Sequence, residues 1–350
     1  MNVRNNAKEL TLGVDTHLDK HVAVLIDNIG QVVDTKEIAV TSFGYRTMYT
    51  WCSSFGNVKQ AGIEGTGTYG AGLCKYLQDQ GVAVFEVNRP NRARRRLRGK
   101  SDPTDAENAA RSVLANESTA IPKSHDGTVE ALRFLVVARK SSVKSKTQTI
   151  NQIRALLVTA PEKIREKCYV PSSYQCVKAC EKLEAEPNNL VESSLISVVQ
   201  LLAKRWQLLA AELRDIDKQL KVLTKEKAPT LIEQYGVGTY VAATLLVTAG
   251  DNPDRLKNES SFAALCGVSP LEASSGKTQR HRLNRGGARD ANNALWTVTL
   301  IRMRNDARTK KYVDKRVTEG KSTKEIQRCL KRYIARELFP IMVSDLSCLT

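Results

Sequence analysis

Nine apolar residues, Leu195, Val199, Leu202, Trp206, Leu209, Leu213, Ile216, Leu220 and Leu223, recur in alternating steps of four and three. A period of 3.5 fits a helix and no strand. A seam that long needs a second helix against it. That partner is either another chain, in a coiled coil, or residues 129–158 of the same chain folded back antiparallel. Lys204, Arg205, Glu212, Arg214, Asp215, Asp217 and Lys218 flank the seam with charge. Pro161 and Pro171 interrupt the region, and 183–194 reads as a loop. A helical middle, 126–226, therefore separates a first domain, 1–125, from a last one, 227–350.

The first domain reads as α/β. Residues 9–15 form an apolar strand ending in Asp15, a second strand spans 21–26, and the turn Asp27–Gly30 leads to a third at 31–40. A helix over 42–55, a strand over 58–64 ending in Glu64, a helix over 71–80 and a strand over 82–87 follow. Asp15 and Glu64 thus stand at strand ends, where α/β sheets place their chemistry. A further helix opens at Asp102-Pro103-Thr104-Asp105. Its two acids, three apart, share one face of the first turn. On one reading they are only a helix start, with Asp102 as cap and Pro103 at the first helical position. On the other, Asp15, Glu64, Asp102 and Asp105 converge as an oxygen-only site for a pair of hard divalent cations, the arrangement used in phosphoryl transfer. The basic run just upstream supplies Arg92, Arg94, Arg95, Arg96, Arg98 and Lys100 to hold a phosphate backbone against such a site.

Composition supports a polyanionic partner. Lys plus Arg number 54 against 37 Asp plus Glu, a net charge of +17, and nucleic acid is the natural ligand for that surplus. Aromatic residues are only 5% of the chain, which argues against a protein working chiefly by stacking single-stranded bases. The eight cysteines contain no Cys-x-x-Cys pair and no His at zinc-finger spacing, so reduced structural thiols are favoured over a zinc site. With no signal-peptide core and no apolar run of spanning length, the expectation is a cytoplasmic, nucleoid-associated prokaryotic protein with no membrane contact. Gly65-x-Gly-x-x-Gly70 follows a strand and precedes a helix, but the acid a dinucleotide site needs is met only loosely by Glu86.

In the last domain, Gly236-Val237-Gly238 separates two helices, a helix-hairpin-helix-like segment whose second helix start suits a phosphate. Gly276-Lys277-Thr278 ends like a P-loop, but Leu271 stands where the first glycine belongs, which excludes that ATPase motif. What remains is Ser274 and Ser275 among Lys277, Arg280, His281, Arg282 and Arg285. A serine is a poor nucleophile without help, and cations around it would stabilise a phosphoryl transition state. Residues 310–331 form a basic helical region.

Four stretches carry a resemblance: Gly13-Val-Asp15-Thr-His17, Ile63-Glu64-Gly-Thr-Gly-Thr-Tyr69, Lys100-Ser-Asp102-Pro-Thr-Asp105-Ala106, and Leu265-Cys-Gly-Val-Ser-Pro270 with Ser275-Gly276. Together they resemble the DEDD transposases of bacterial insertion sequences, relatives of the Piv DNA invertase, over about residues 10–340. The resemblance implies a RuvC/RNase H-like N-terminal domain, a mainly helical C-terminal transposase domain, and magnesium on Asp15, Glu64, Asp102 and Asp105. It implies Ser275 as the nucleophile that forms a phosphoserine link to DNA, with Ser274 as fallback. It further implies a homodimer or homotetramer in which one protomer's serine loop meets another's acids, and a noncoding bridge RNA that pairs with donor and target DNA. Where many relatives continue Gly-Asn-x-x-Leu-Arg, Gly287 is followed here by Ala-Arg-Asp-Ala-Asn-Asn. Arg289 becomes a candidate for the scissile phosphate. Two other readings stay open: a RuvC-type junction endonuclease using water, and a non-catalytic nucleic-acid binder.

Overall fold

A computed structural model describes residues 8–87, 101–184, 189–252, 255–276 and 281–347. They fall into two compact units, 1–125 and 126–350. The basic residues Arg92, Arg94, Arg95, Arg96, Arg98, Lys100, Lys277 and Arg280 lie outside the described residues.

The first unit is built on a five-stranded sheet. Strands β1 (Glu9–Thr16), β2 (Lys20–Asp27) and β3 (Val32–Ala39) form an antiparallel meander. Strands β4 (Asn57–Ile63) and β5 (Ala83–Glu86) add in parallel beyond β1, giving the order β3-β2-β1-β4-β5. This mixed order fits the RNase H-like domain expected. Leu10, Leu12 and Val14 alternate to one face, where they pack with Tyr45 and Met48 of helix α1 (Ser42–Ser53) and Leu73 and Leu77 of helix α2 (Ala71–Asp79).

The opposite face carries helix α3 (Asp102–Leu114), which packs on β1, β2 and β4. Gly13 and Gly62 are direct partners across β1 and β4. A Cβ on Gly13 would overlap the Ala106 carbonyl oxygen, and one on Gly62 would lie 2.6 Å from the Ala109 carbonyl oxygen. On its own side α3 presents alanines: Ala106 and Ala110 are fully buried and Ala109 nearly so. Two side-chain-free strand positions facing an alanine stripe bring helix and sheet backbones almost into contact.

The second unit hangs on two long helices, α4 (Thr128–Val158) and α7 (Leu190–Lys227). They run antiparallel. Arg139 Nε donates to Asp217 at 2.6 Å, Ser142 to Glu212 at 2.6 Å, and Lys146 sits 4.5 Å over the Trp206 ring. The heptad seam is thus used within the chain. Val199, Trp206, Leu213, Ile216 and Leu220 are buried, while Leu195, Leu202, Leu209 and Leu223 are half-buried. At one end of the pair, α5 (Glu162–Cys168) and α6 (Ser173–Glu181) close a core containing Cys168, Cys176 and Cys180. At the other end lie α8 (Pro229–Ile232), α9 (Thr239–Ala249), α10 (Glu259–Leu265), the hairpin strands β6 (Leu271–Glu272) and β7 (His281–Arg282), α11 (Arg289–Asn305), α12 (Ala307–Thr318) and α13 (Thr323–Ser347). Their core is anchored by Phe262, Leu245, Leu295 and Leu338. The helix expected before Gly236 amounts to the single turn α8. Tyr235 instead turns its carbonyl to Arg302, which donates to it at 2.9 Å. Among the described residues no helix is long and apolar enough to cross a membrane.

The contact between α3 and the paired glycines generates a prediction. Gly13→Ala should lower the unfolding free energy by about 1–3 kcal/mol or more, since no flexible side chain can yield. A fall in the urea midpoint checks it, and an unchanged midpoint would show that α3 is not seated as described.

Candidate functional site

Asp15 sits two residues beyond Gly13, so alternation turns it to the α3 side of β1. It is buried. Past the end of β1 the chain turns back, and the His17 amide donates to Nδ1 of the buried His21 at 3.3 Å. The turn sets His17 Nε2 3.3 Å from Asp15 Oδ2 and 3.4 Å from Asp102 Oδ2. One ligand atom from each of Asp15, His17 and Asp102 lies within 4.8 Å of the others.

Asp102 is available because it does not cap its own helix. Ser101 is the cap: its Oγ accepts from the Thr104 amide and pairs with Thr104 Oγ1 at 2.7 Å. Asp102 is then the first helical residue and Pro103 the second, one step later than the sequence suggested. Both registers suit a Pro near a helix start, and Ser caps as well as Asp. Asp105 follows one turn on, 4% exposed. Glu64 stands just beyond β4, its amide donating to Val14 O at 3.2 Å and its carbonyl accepting from Thr16 Oγ1 at 2.7 Å. Backbone bonds therefore hold Glu64 at the end of β1, while the three-atom cluster itself consists of Asp15, His17 and Asp102. His17 is the residue that reading the sequence for acids missed. Its signal was available: two places after Asp15, where the strand ends.

Burial, reinforced by the neighbouring charges of Asp102 and Asp105, holds the Asp15 carboxyl above its ordinary range, and His17 partly opposes this. An acidic cluster in that state suits a divalent cation, which would relieve the repulsion that the fold imposes. The donor set fits: carboxylate oxygens from Asp15 and Asp102 converge, with Asp105 adjoining and one imidazole nitrogen available.

The serines occupy a separate feature in the second unit. Strands β6 and β7 pair antiparallel, Leu271 with Arg282 and Glu272 with His281. Ser274, Ser275 and Gly276 are exposed beyond β6, and Gly276 has φ +55°. The foot of this hairpin is clamped. Gly267 and Gly287, both at positive φ, pack backbone to backbone, and a Cβ on Gly287 would lie 2.5 Å from Gly267 N. Ala288 N donates to Leu265 O at 2.7 Å, and Asn292 Nδ2 donates to both Cys266 O and Gly267 O. Arg282, Arg285 and Arg289 are exposed around this foot.

Two predictions follow from the acidic cluster. The cost of ionising Asp15 is absent in acid and grows as pH rises through its elevated titration range. Asp15→Asn should therefore raise the melting temperature of the metal-free protein at neutral pH by about 2–4 °C, with the gain vanishing in acid. The same variant should lose the stabilisation that millimolar Mn²⁺ or Mg²⁺ gives the parent. Thermal melts with and without chelator check both, and equal cation responses in the two proteins would remove Asp15 from the metal site.

Residues 12–160 match the DEDD-type IS110 family, described as "Transposase". Residues 228–314 match a second family, "Transposase IS116/IS110/IS902 family". A 148-residue stretch is 28% identical to the insertion element IS110 uncharacterized 43.6 kDa protein of Streptomyces coelicolor, covering 41% of this chain and 36% of that one. The alignment thus spans little more than a third of the relative's length. The first match contains α3, all four expected acids and the sheet apart from the first three residues of β1, and the second contains the serine hairpin. The chain belongs to the DEDD-type transposases of the IS110 family.

Proposed function

We propose that this protein is a transposase that cuts and rejoins DNA strands for insertion-sequence transposition. The observation that carries the reading is the convergence of Asp15 and Asp102 at the β1 end, with Asp105 buried beside them. In this reading Asp15, Glu64, Asp102 and Asp105 hold Mg²⁺, which when bound stabilises charge on the reacting phosphate and its attacking and leaving oxygens. Ser275 supplies the nucleophile. A bond forms from its Oγ to phosphorus as a backbone P–O bond breaks, and the serine proton is balanced by the hydroxyl released on the departing strand. The reverse exchange, with a hydroxyl from another strand, frees the serine and joins the DNA.

Several features support this division of labour. Ser275 is exposed on a hairpin clamped at its foot, and Arg282, Arg285 and Arg289 surround that foot. We assign these three, with Arg92, Arg94, Arg95, Arg96, Arg98, Lys100, Lys277 and Arg280, to binding nucleic acid, in keeping with the net charge of +17. His17 positions the Asp15 and Asp102 carboxylates between visits of the cation. The partners proposed are donor and target DNA, a noncoding bridge RNA, and further copies of the chain in a dimer or tetramer. Residues 1–125 form the catalytic domain, 126–226 a coiled-coil region, and 227–350 the serine-bearing domain with its helix-hairpin-helix-like segment.

A second reading has its own support. The acidic cluster is assembled within one unit, and a RuvC-type nuclease needs only such acids and water. Ser275→Ala separates the two. With element-end DNA, Mg²⁺ and the cognate RNA, the parent should yield a covalent protein–DNA adduct resistant to denaturation, and Ser275→Ala should yield none. Glu64→Gln should abolish strand cleavage outright. Cleavage that survives Ser275→Ala would sink the serine mechanism in favour of hydrolysis.

A further inference from the structure

Beside the foot of the serine hairpin lies a cavity of about 480 Å³ that none of the assigned roles explains. Its walls include Arg285, Arg289, Asn292, Asn293, Trp296 and Lys331, and among the described residues no carboxylate lines it. Volume in this range is typical of a small-ligand pocket, for which ~300–1,000 Å³ is usual.

Some cations of this unit are matched by carboxylates: Arg302 grips Glu337 through two hydrogen bonds, Lys140 pairs with Asp290, and Arg332 with Glu259. Arg285, Arg289 and Lys331 have no carboxylate partner among the described residues. Lys331 is half-buried, and its ammonium donates to the Asn292 side-chain oxygen at 2.7 Å. Partial burial without a counter-charge is costly unless an anion arrives. The 17-residue α11 starts at Arg289 without a side-chain cap, and Arg289, Asn292 and Asn293 near its start line the cavity.

The second element is aromatic. On α11, Leu295 and Val298 are fully buried, whereas Trp296 is 42% exposed and lines the cavity. Asn292 and Asn293 lie one turn before it and share its face. A flat apolar ring, the exposed Asn293 amide and three cations without a carboxylate partner among the described residues call for a ligand with a planar face, a hydrogen-bonding edge and a phosphate. That is a nucleotide. An acidic peptide would satisfy the cations and leave the indole bare.

We propose that this cavity binds one unstacked nucleotide of a single-stranded segment, its base on the Trp296 indole and its phosphate against Arg285, Arg289 and Lys331. Leu283 directly follows β7 and lines the cavity, so the nucleotide lies next to the strand that the serine hairpin engages. The inference rests on the nucleic-acid reading above and names where that strand is held. The low aromatic content is consistent with a single seat rather than a stacking platform.

Intrinsic fluorescence tests it on the full chain. The protein has three tryptophans, Trp51, Trp206 and Trp296, and Trp296→Phe isolates the signal of the third. Titration with a short single-stranded DNA should quench Trp296, and an abasic strand of equal length should bind about ten-fold more weakly without quenching. Trp296→Ala should lose about ten-fold toward the base-bearing strand and nothing toward the abasic one. Lys331→Met, which keeps the indole, should weaken both. RNA of the same sequence forms a parallel arm, and the tighter of the two identifies the strand held. Equal binding of intact and abasic strands, or quenching that persists in Trp296→Phe, would overturn the proposal. Ser275→Ala should quench like the parent. A parent that quenches but forms no adduct therefore counts against the serine mechanism alone, and a parent that forms the adduct without Trp296 quenching counts against the pocket alone.

Discussion

The approach of α3 to the sheet is the contact from which the acidic site derives. Gly13 and Gly62 are paired across β1 and β4, and neither position tolerates a methyl group beside the backbone of α3. Helix and sheet normally meet through interleaved side chains; here alanines rest on bare strand. Closing that gap brings the first turn of α3 level with the end of β1. Asp102 can then share an imidazole with Asp15. A bulkier interface would leave the same acids in the same order along the chain, too far apart to share anything.

Bringing acids together in a partly buried place raises the free energy of the empty site, as the elevated Asp15 shows. Function and stability are therefore opposed at this point of the fold. His17 moderates the opposition. Its Nε2 lies within 3.4 Å of a carboxylate oxygen of both Asp15 and Asp102, and its backbone is held by the buried His21. The serine hairpin follows a different logic. In it Ser274, Ser275 and Gly276 are exposed beyond β6, the foot is fixed by backbone contacts that only glycine permits, and the described setting is cationic.

Much of this was legible in the residues. Short runs between turn signals placed every strand of the sheet to within about two residues; β1 and β2 are buried along nearly their whole length and so leave a continuous apolar run. The seam of nine apolar positions announced a long helix, but its partner was not legible. A heptad records that a face is covered and says nothing of which chain covers it. The cap of α3 was misplaced by one residue since Ser101 and Asp102 are chemically equivalent as caps, and the choice is made by what else needs Asp102. The helix before Gly236 shrank to one turn because the Tyr235 carbonyl is drawn to Arg302, 67 positions away. The Trp296 cavity could not be read at all. It joins 283–296 to Lys331, and nothing local marks Lys331 as different from other lysines in a basic helix.

The clamp of Gly267 against Gly287 has one further consequence. The hydrogen bonds that clamp the foot, Ala288 N to Leu265 O and Asn292 Nδ2 to Cys266 O and Gly267 O, come from residues outside the turn that carries Ser274 and Ser275. Such a segment can lengthen, shorten or change sequence while the scaffold keeps its register. Within a lineage of mobile elements that separation would let the surroundings of the two serines drift in sequence without each step first having to survive a folding crisis.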